Sequence, residues 1–276
     1  MLARIDWVLL FGGSLTLAFF FLLLKWCLPK VNPFSLTWRY VRDHAGRSHA
    51  QFYVLTLLGI ICLDILETRF DEVLTQHLGL DFTSFFLHVE GASGQLFQIV
   101  NAPGLTYALS VVYLYVFPVM GAVAILATYC GGENEIGRKI FWASIFNYLL
   151  ILPFYVLVPV SERWTVGSGE VALLMNQISP LLIEGLRPMS GLNNCFPSFH
   201  TSLAISFAMI VSKSANKRLR RTLYVVAALV VYSTLYLGFH WVLDVLAGVL
   251  FASACSLLAT WAVENFKLEL VLYRTR

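Results

Sequence analysis

The chain has 276 residues, of which 58% are hydrophobic and 13% charged. Soluble domains carry about 25% charged residues, and a mean hydropathy of +0.74 excludes an ordinary soluble globular domain and places the chain in a bilayer. A formal net charge of +3 gives no argument for a nucleic-acid partner, and none is expected.

Trp7 and Trp26 bracket the first apolar run, whose length suits ~30 Å of hydrocarbon with tryptophan at both interfaces. Arg4 precedes the run as in a signal peptide, but no small-residue cleavage site follows, so a retained helix is expected. Seven apolar helical spans are predicted in all, at 7–28, 51–67, 105–129, 139–160, 198–213, 222–239 and 241–263. The fold class is therefore all-α, a polytopic transmembrane bundle. Residues 1–104 would form N-terminal spans and an interfacial segment, and 105–276 a catalytic core.

Basic residues orient the bundle. With the N-terminus outside, 15 of the 19 Lys and Arg fall in inner segments, and only Arg4, Arg69, Arg163 and Arg187 lie outside. The C-terminus is then cytoplasmic. Two long segments, 68–104 and 161–197, face the outer side: periplasm, cell exterior or lumen. The stretch Leu74 to Leu87 reads as short helices in the interface. His77, His88 and Glu90 have no partner legible in the sequence and read as interfacial residues. Asp64 and Glu67, near the outer end of the second span beside Arg69, form either a local ion pair or contacts to a polar headgroup; Asn194 is a further headgroup candidate. The five cysteines, Cys27, Cys62, Cys130, Cys195 and Cys255, show neither a CxxC pair nor metal-ligand spacing, and no metal or cofactor is expected.

The chemistry concentrates in two stretches. In Cys195-Phe196-Pro197-Ser198-Phe199-His200, Pro197 suits a first helical position. The backbone N–H groups of Ser198, Phe199 and His200 would then be open to a phosphate, with the Ser198 hydroxyl beside them. His200, in the first turn, could protonate a leaving oxygen; Ser198 could equally cap the helix. In Gly238-Phe239-His240-Trp241-Val242-Leu243-Asp244, His240 opens the last span and Asp244 follows four residues on, over the same helix face. A carboxylate there can hold one imidazole nitrogen and leave the other as a directed nucleophile.

Together these residues resemble the type 2 phosphatidic acid phosphatase superfamily, which includes vanadium haloperoxidases and bacterial acid phosphatases. Its second motif, Pro-Ser-x-His, is complete as Pro197-Ser198-Phe199-His200; the third, Ser-Arg-x5-His-x3-Asp, keeps Ser233, His240 and Asp244; the first, Lys-x6-Arg-Pro, keeps Arg187-Pro188. The resemblance implies a phosphohistidine on His240, oriented by Asp244, with His200 as acid–base partner. It also implies that Arg187 and Ser198 hold phosphate oxygens, to which the helix-start N–H of Phe199 would add a donor.

Pro180 and Thr234 stand where the family has lysine and arginine. A phosphomonoester carries nearly two charges at neutral pH, so the loss of two cations favours a phosphodiester or pyrophosphate lipid. Phe196 to His200, the arginine-free stretch before His240 and Pro159-Val160-Ser161-Glu162-Arg163-Trp164 are similar to the inositol phosphorylceramide synthase-like, aureobasidin-sensitive branch. The activity expected on that ground is transfer of a phospho-headgroup between membrane lipids. The alternatives are a lipid phosphate phosphatase acting on phosphatidic acid or a polyprenyl (pyro)phosphate, and a non-catalytic lipid-binding or transport protein.

Overall fold

The computed structural model describes residues 2–44, 73–75, 77–167, 170–178 and 191–265. The expected span 51–67, with Asp64 and Glu67, lies outside the described residues, as do Arg69, Pro180, Arg187 and Pro188. Among the described residues the regular structure is helical, apart from one parallel bridge, Val160 with Asn194.

Eight helices organise these residues. They are α1 (Leu2–Cys27), α2 (Pro33–His44), α3 (Thr83–Glu90), α4 (Pro103–Cys130), α5 (Asn134–Leu157), α6 (Phe199–Val211), α7 (Lys217–Tyr236) and α8 (Val242–Asn265). Three of them, α4, α5 and α8, are long and apolar enough to cross a membrane. Two expected spans come out differently. Helix α6 has 13 residues, about 20 Å at 1.5 Å per residue. Helix α7 starts at Lys217, five residues before the expected apolar start, because the Asn216 side chain caps the N–H groups of Arg218 and Leu219.

The outward face is greasy and the inward face small. On α8, Leu246, Leu250, Leu257 and Trp261 are exposed, Leu250 at 74%, while Gly248, Ala252, Cys255, Ala259 and Ala262 are buried. This inversion of a soluble helix is expected where hydrocarbon is the solvent and small residues let backbones approach. Helix α6 sits at the centre, packed on α5, α7 and α8. Helices α6 and α8 approach closely at Gly248, where an added Cβ would lie 2.8 Å from the Ser198 carbonyl oxygen and 3.1 Å from Thr201 Cβ.

One set of polar side chains inside the bundle is paired across three helices. Asn147 on α5 donates to Ser206 Oγ at 3.1 Å and accepts from Ser202 of α6, while Ser206 reaches the Ala252 carbonyl of α8. In α4, Pro118 has no N–H for the carbonyl four residues back. The helix opens into a π turn over Val112–Val116 and tightens into a 3-10 turn over Phe117–Val119. That irregular turn presents Tyr113 and Phe117 to His200.

Candidate active site

The two motif stretches meet at one end of α6 and α8. Asp244 is completely buried. Its Oδ2 lies 3.2 Å from His240 Nδ1 and accepts the Trp241 backbone N–H at 2.9 Å. The second bond is half of a capping box, an acid in the first turn reaching back to the residue before the helix. The carboxylate thus closes the start of α8 and holds the imidazole with the same oxygen. The backbone N–H groups of His240 and Phe239 both donate to the Thr234 carbonyl at 3.1 Å. This tight turn passes through Gly238 at φ +89, where a Cβ would sit 2.4 Å from the Ala172 carbonyl oxygen.

His200 faces this turn. Its ring centroid is 6.2 Å from that of His240, tilted by 59°. Two imidazoles so placed can both come within ~3 Å of one phosphoryl group. Tyr113 stacks on His200 at 4.3 Å and on Phe239 at 5.0 Å, and its Oη is 3.5 Å from His200 Nδ1. Tyr113 therefore fills the wall joining the two histidine segments. Nothing in the sequence marks it, because it lies in an apolar span outside every motif.

The helix starts divide the work. At α8 the N–H groups of Val242 and Leu243 donate to the two carboxylate oxygens of Glu90, at 2.9 and 2.5 Å. Glu90 is thus a cap supplied by a residue over 150 positions away, and not only an interfacial residue as the sequence suggested. At α6 the expected arrangement needs correction. Pro197 follows a cis bond from Phe196 and precedes the helix; Ser198 is the N-cap, fully buried, its Oγ accepting from Thr201 N at 3.4 Å. The Ser198 N–H is not open either, because it donates to the Asp244 carbonyl at 3.0 Å. The N–H groups of Phe199 and His200 have no acceptor among the described residues. Among the described residues, the helix start with N–H groups open to an anion is therefore that of α6.

Neighbouring segments hold the turn in place. Arg163 is 1% exposed; its guanidinium lies 4.6 Å over the Trp241 ring and donates to the carbonyls of Val166 and Gly91, both at 3.0 Å. Its backbone N–H reaches the Phe239 carbonyl, and that of Trp164 reaches Gly238. Gln98 grips the Ala172 N–H and the carbonyls of Ala172 and Tyr236. Arg163 is thereby a brace for the turn. Thr234, at the family's arginine position, turns its hydroxyl back to the Val231 carbonyl at 2.8 Å. Asn194 is half-buried in the bridge with Val160, beside Gly191.

The histidine pair, the buried carboxylate and the open start of α6 all fall inside the stretch that matches known proteins. An undecaprenyl-diphosphatase from Sulfolobus acidocaldarius is 25% identical over 180 residues, covering 61% of this chain and 77% of that protein. No solved structure matches the chain. The profile of the PAP2 superfamily matches residues 83–258, more than half of the length and inclusive of Glu90, His200, His240 and Asp244, and the chain belongs to that superfamily.

Proposed function

We propose that this protein is a membrane lipid phosphatase that hydrolyses a lipid-linked phosphate, with a polyprenyl diphosphate as the favoured substrate class. The observation that carries the reading is the 6.2 Å approach of His200 and His240 beside the uncapped N–H groups of Phe199 and His200. The diphosphatase activity of the Sulfolobus relative supports hydrolysis over headgroup transfer. A lipid diphosphate carries more negative charge than a phosphodiester, so the diphosphate reading rests on the Sulfolobus relative and not on the missing cation at Thr234.

In the proposed reaction, Asp244 keeps the proton on His240 Nδ1, so that Nε2 carries the lone pair. Nε2 attacks the terminal phosphorus, and the N–P bond forms as the bond to the lipid phosphate oxygen breaks. The phosphoryl oxygens rest on the N–H groups of Phe199 and His200, with Arg187 as a further holder, a case of preorganised electrostatic stabilisation. His200 gives its proton to the leaving oxygen, then takes one from water. That water opens the phosphohistidine and releases inorganic phosphate. In this reading the chain has seven spans, with the N-terminus outside and the site facing the non-cytoplasmic side, and residues 105–276 form the catalytic core with the last five of them. Residues 1–104 shape lipid access.

Headgroup transfer is the second reading, favoured specifically by the absence of a cation at position 234. Purified protein in detergent, given a polyprenyl diphosphate, should release inorganic phosphate, and His240→Ala should not. Negligible release, with a phospho-headgroup moved onto an added lipid alcohol, would establish the transferase instead.

A further inference from the structure

The fold places a thiol beside the histidine–aspartate pair. Cys195, His240 and Asp244 are buried, and each offers a ligand atom, all within 4.8 Å of one another. Cys195 reaches this position because its backbone N–H is tied to the Val160 carbonyl and its Sγ lies 3.6 Å from the Phe239 carbonyl oxygen. A second observation bears on what the cluster can hold. Asp244 spends Oδ2 on two donors, yet its Oδ1 is fully buried with no hydrogen-bond partner among the described residues. A buried carboxylate oxygen without a donor is a ready acceptor for a cation.

We propose that Cys195, His240 and Asp244 form an inhibitory site for a soft divalent ion, with Zn²⁺ or Cd²⁺ as the fitting chemistry. A thiolate, an imidazole and a carboxylate are a donor set that such ions take, whereas Mg²⁺ and Ca²⁺ require oxygen ligands. With Zn–S near ~2.3 Å and Zn–N near ~2.0 Å, tetrahedral donors stand roughly 3.5 Å apart, so the three side chains need to close by about one ångström. Binding displaces the thiol proton. It occupies a nitrogen of His240, engages Asp244, and leaves the fourth position to water or a phosphate oxygen. An ion so bound competes with phosphoryl transfer. The inhibition rests on the proposed catalytic role of His240; the binding does not.

Two measurements separate those parts. Cd²⁺ titrated into a purified background variant carrying Cys27→Ala, Cys62→Ala, Cys130→Ala and Cys255→Ala should produce a thiolate-to-cadmium charge-transfer band in the ultraviolet. Adding Cys195→Ala should remove that band, and adding His240→Ala instead should weaken the affinity at least ten-fold. Phosphate release by the wild-type protein should fall with micromolar Zn²⁺, recover with chelator and ignore Mg²⁺. Cys195→Ala should keep basal turnover and lose at least ten-fold in Zn²⁺ sensitivity, with Cys195→Ser as the second variant should alanine fold poorly. An unchanged band without Cys195 would overturn the site. A band that depends on Cys195 and His240, alongside Zn²⁺ inhibition equal in wild type and variant, would overturn the inhibitory role alone.

Discussion

The backbone N–H of Ser198 donates to the carbonyl of Asp244 at 3.0 Å, so the residue that caps α6 is fastened to the residue that holds His240. This single bond fixes the distance between the two motif segments. It requires the helices to approach closely, which Gly248 one turn further along α8 permits.

Gly248→Ala tests that relationship. A methyl group there would meet the Ser198 carbonyl at 2.8 Å, a backbone atom that cannot swing aside. Overpacking of this kind costs roughly 1–3 kcal/mol. Misplacement of reacting groups by about 1 Å can cost ~10²-fold in rate. The variant should fold with a modestly lower melting temperature in detergent and show a far larger loss of phosphate release. Full turnover in a folded Gly248→Ala protein would show that the helix spacing is not what sets the site.

Asp244→Asn separates charge from shape. The amide oxygen can still accept from His240 and Trp241, but the negative charge that would stabilise a protonated or phosphorylated imidazole is gone. In hydrolases with a comparable His–Asp pair such a change lowers kcat by about 10⁴. The expected outcome here is a fall in kcat of about 10³–10⁴ with KM little changed, the signature of an interaction made mainly in the transition state. A rise in KM at constant kcat would assign Asp244 to substrate binding.

His200, His240 and Asp244 were legible in the sequence because their spacing is local: proline before a helix start, and histidine four residues from aspartate. The long apolar helices α4, α5 and α8 were legible from hydrophobicity alone. Residues that meet across loops were not. Glu90, Gln98, Tyr113, Arg163 and Cys195 reach the site through contacts between distant segments, which linear spacing does not encode. The start of α6 misled for another reason. Pro197 and Ser198 both favour the beginning of a helix, and the serine takes the cap, which leaves the proline outside and uses the Ser198 N–H elsewhere. The start of α7 shifted because a capping asparagine, Asn216, begins the helix before its apolar stretch does.

Glu90→Ala removes the cap that crosses from α3 to α8. Its carboxylate carries two charge-assisted bonds to the first N–H groups of that helix. Bonds of this type contribute about 1.5–3 kcal/mol. The expected outcome is a lower melting temperature and faster amide exchange at Val242 and Leu243, together with reduced turnover. Glu90→Gln should lie between, since its amide oxygen accepts from one N–H while its nitrogen faces the other donor. Unaltered exchange at those two amides in Glu90→Ala would remove the cap from the account.

Asn147→Leu examines the polar link inside the bundle, where shape is nearly conserved and the hydrogen bonds are not. Asn147 donates to Ser206 and accepts from Ser202, and Ser202 lies two residues beyond His200. Side-chain hydrogen bonds between membrane helices average about 0.6 kcal/mol and reach ~1.7 kcal/mol. The single variant should therefore lose about 1–2 kcal/mol of stability, and the loss should overlap with that of Ser202→Ala. In a double-mutant cycle the coupling between the two should be about 1 kcal/mol, because each substitution removes the same bond. Turnover should change less than in Gly248→Ala, since the Ser198–Asp244 contact is untouched. Strict additivity of the two substitutions would mean that the buried amide and hydroxyl contribute independently, and that α5 is held to α6 by packing alone.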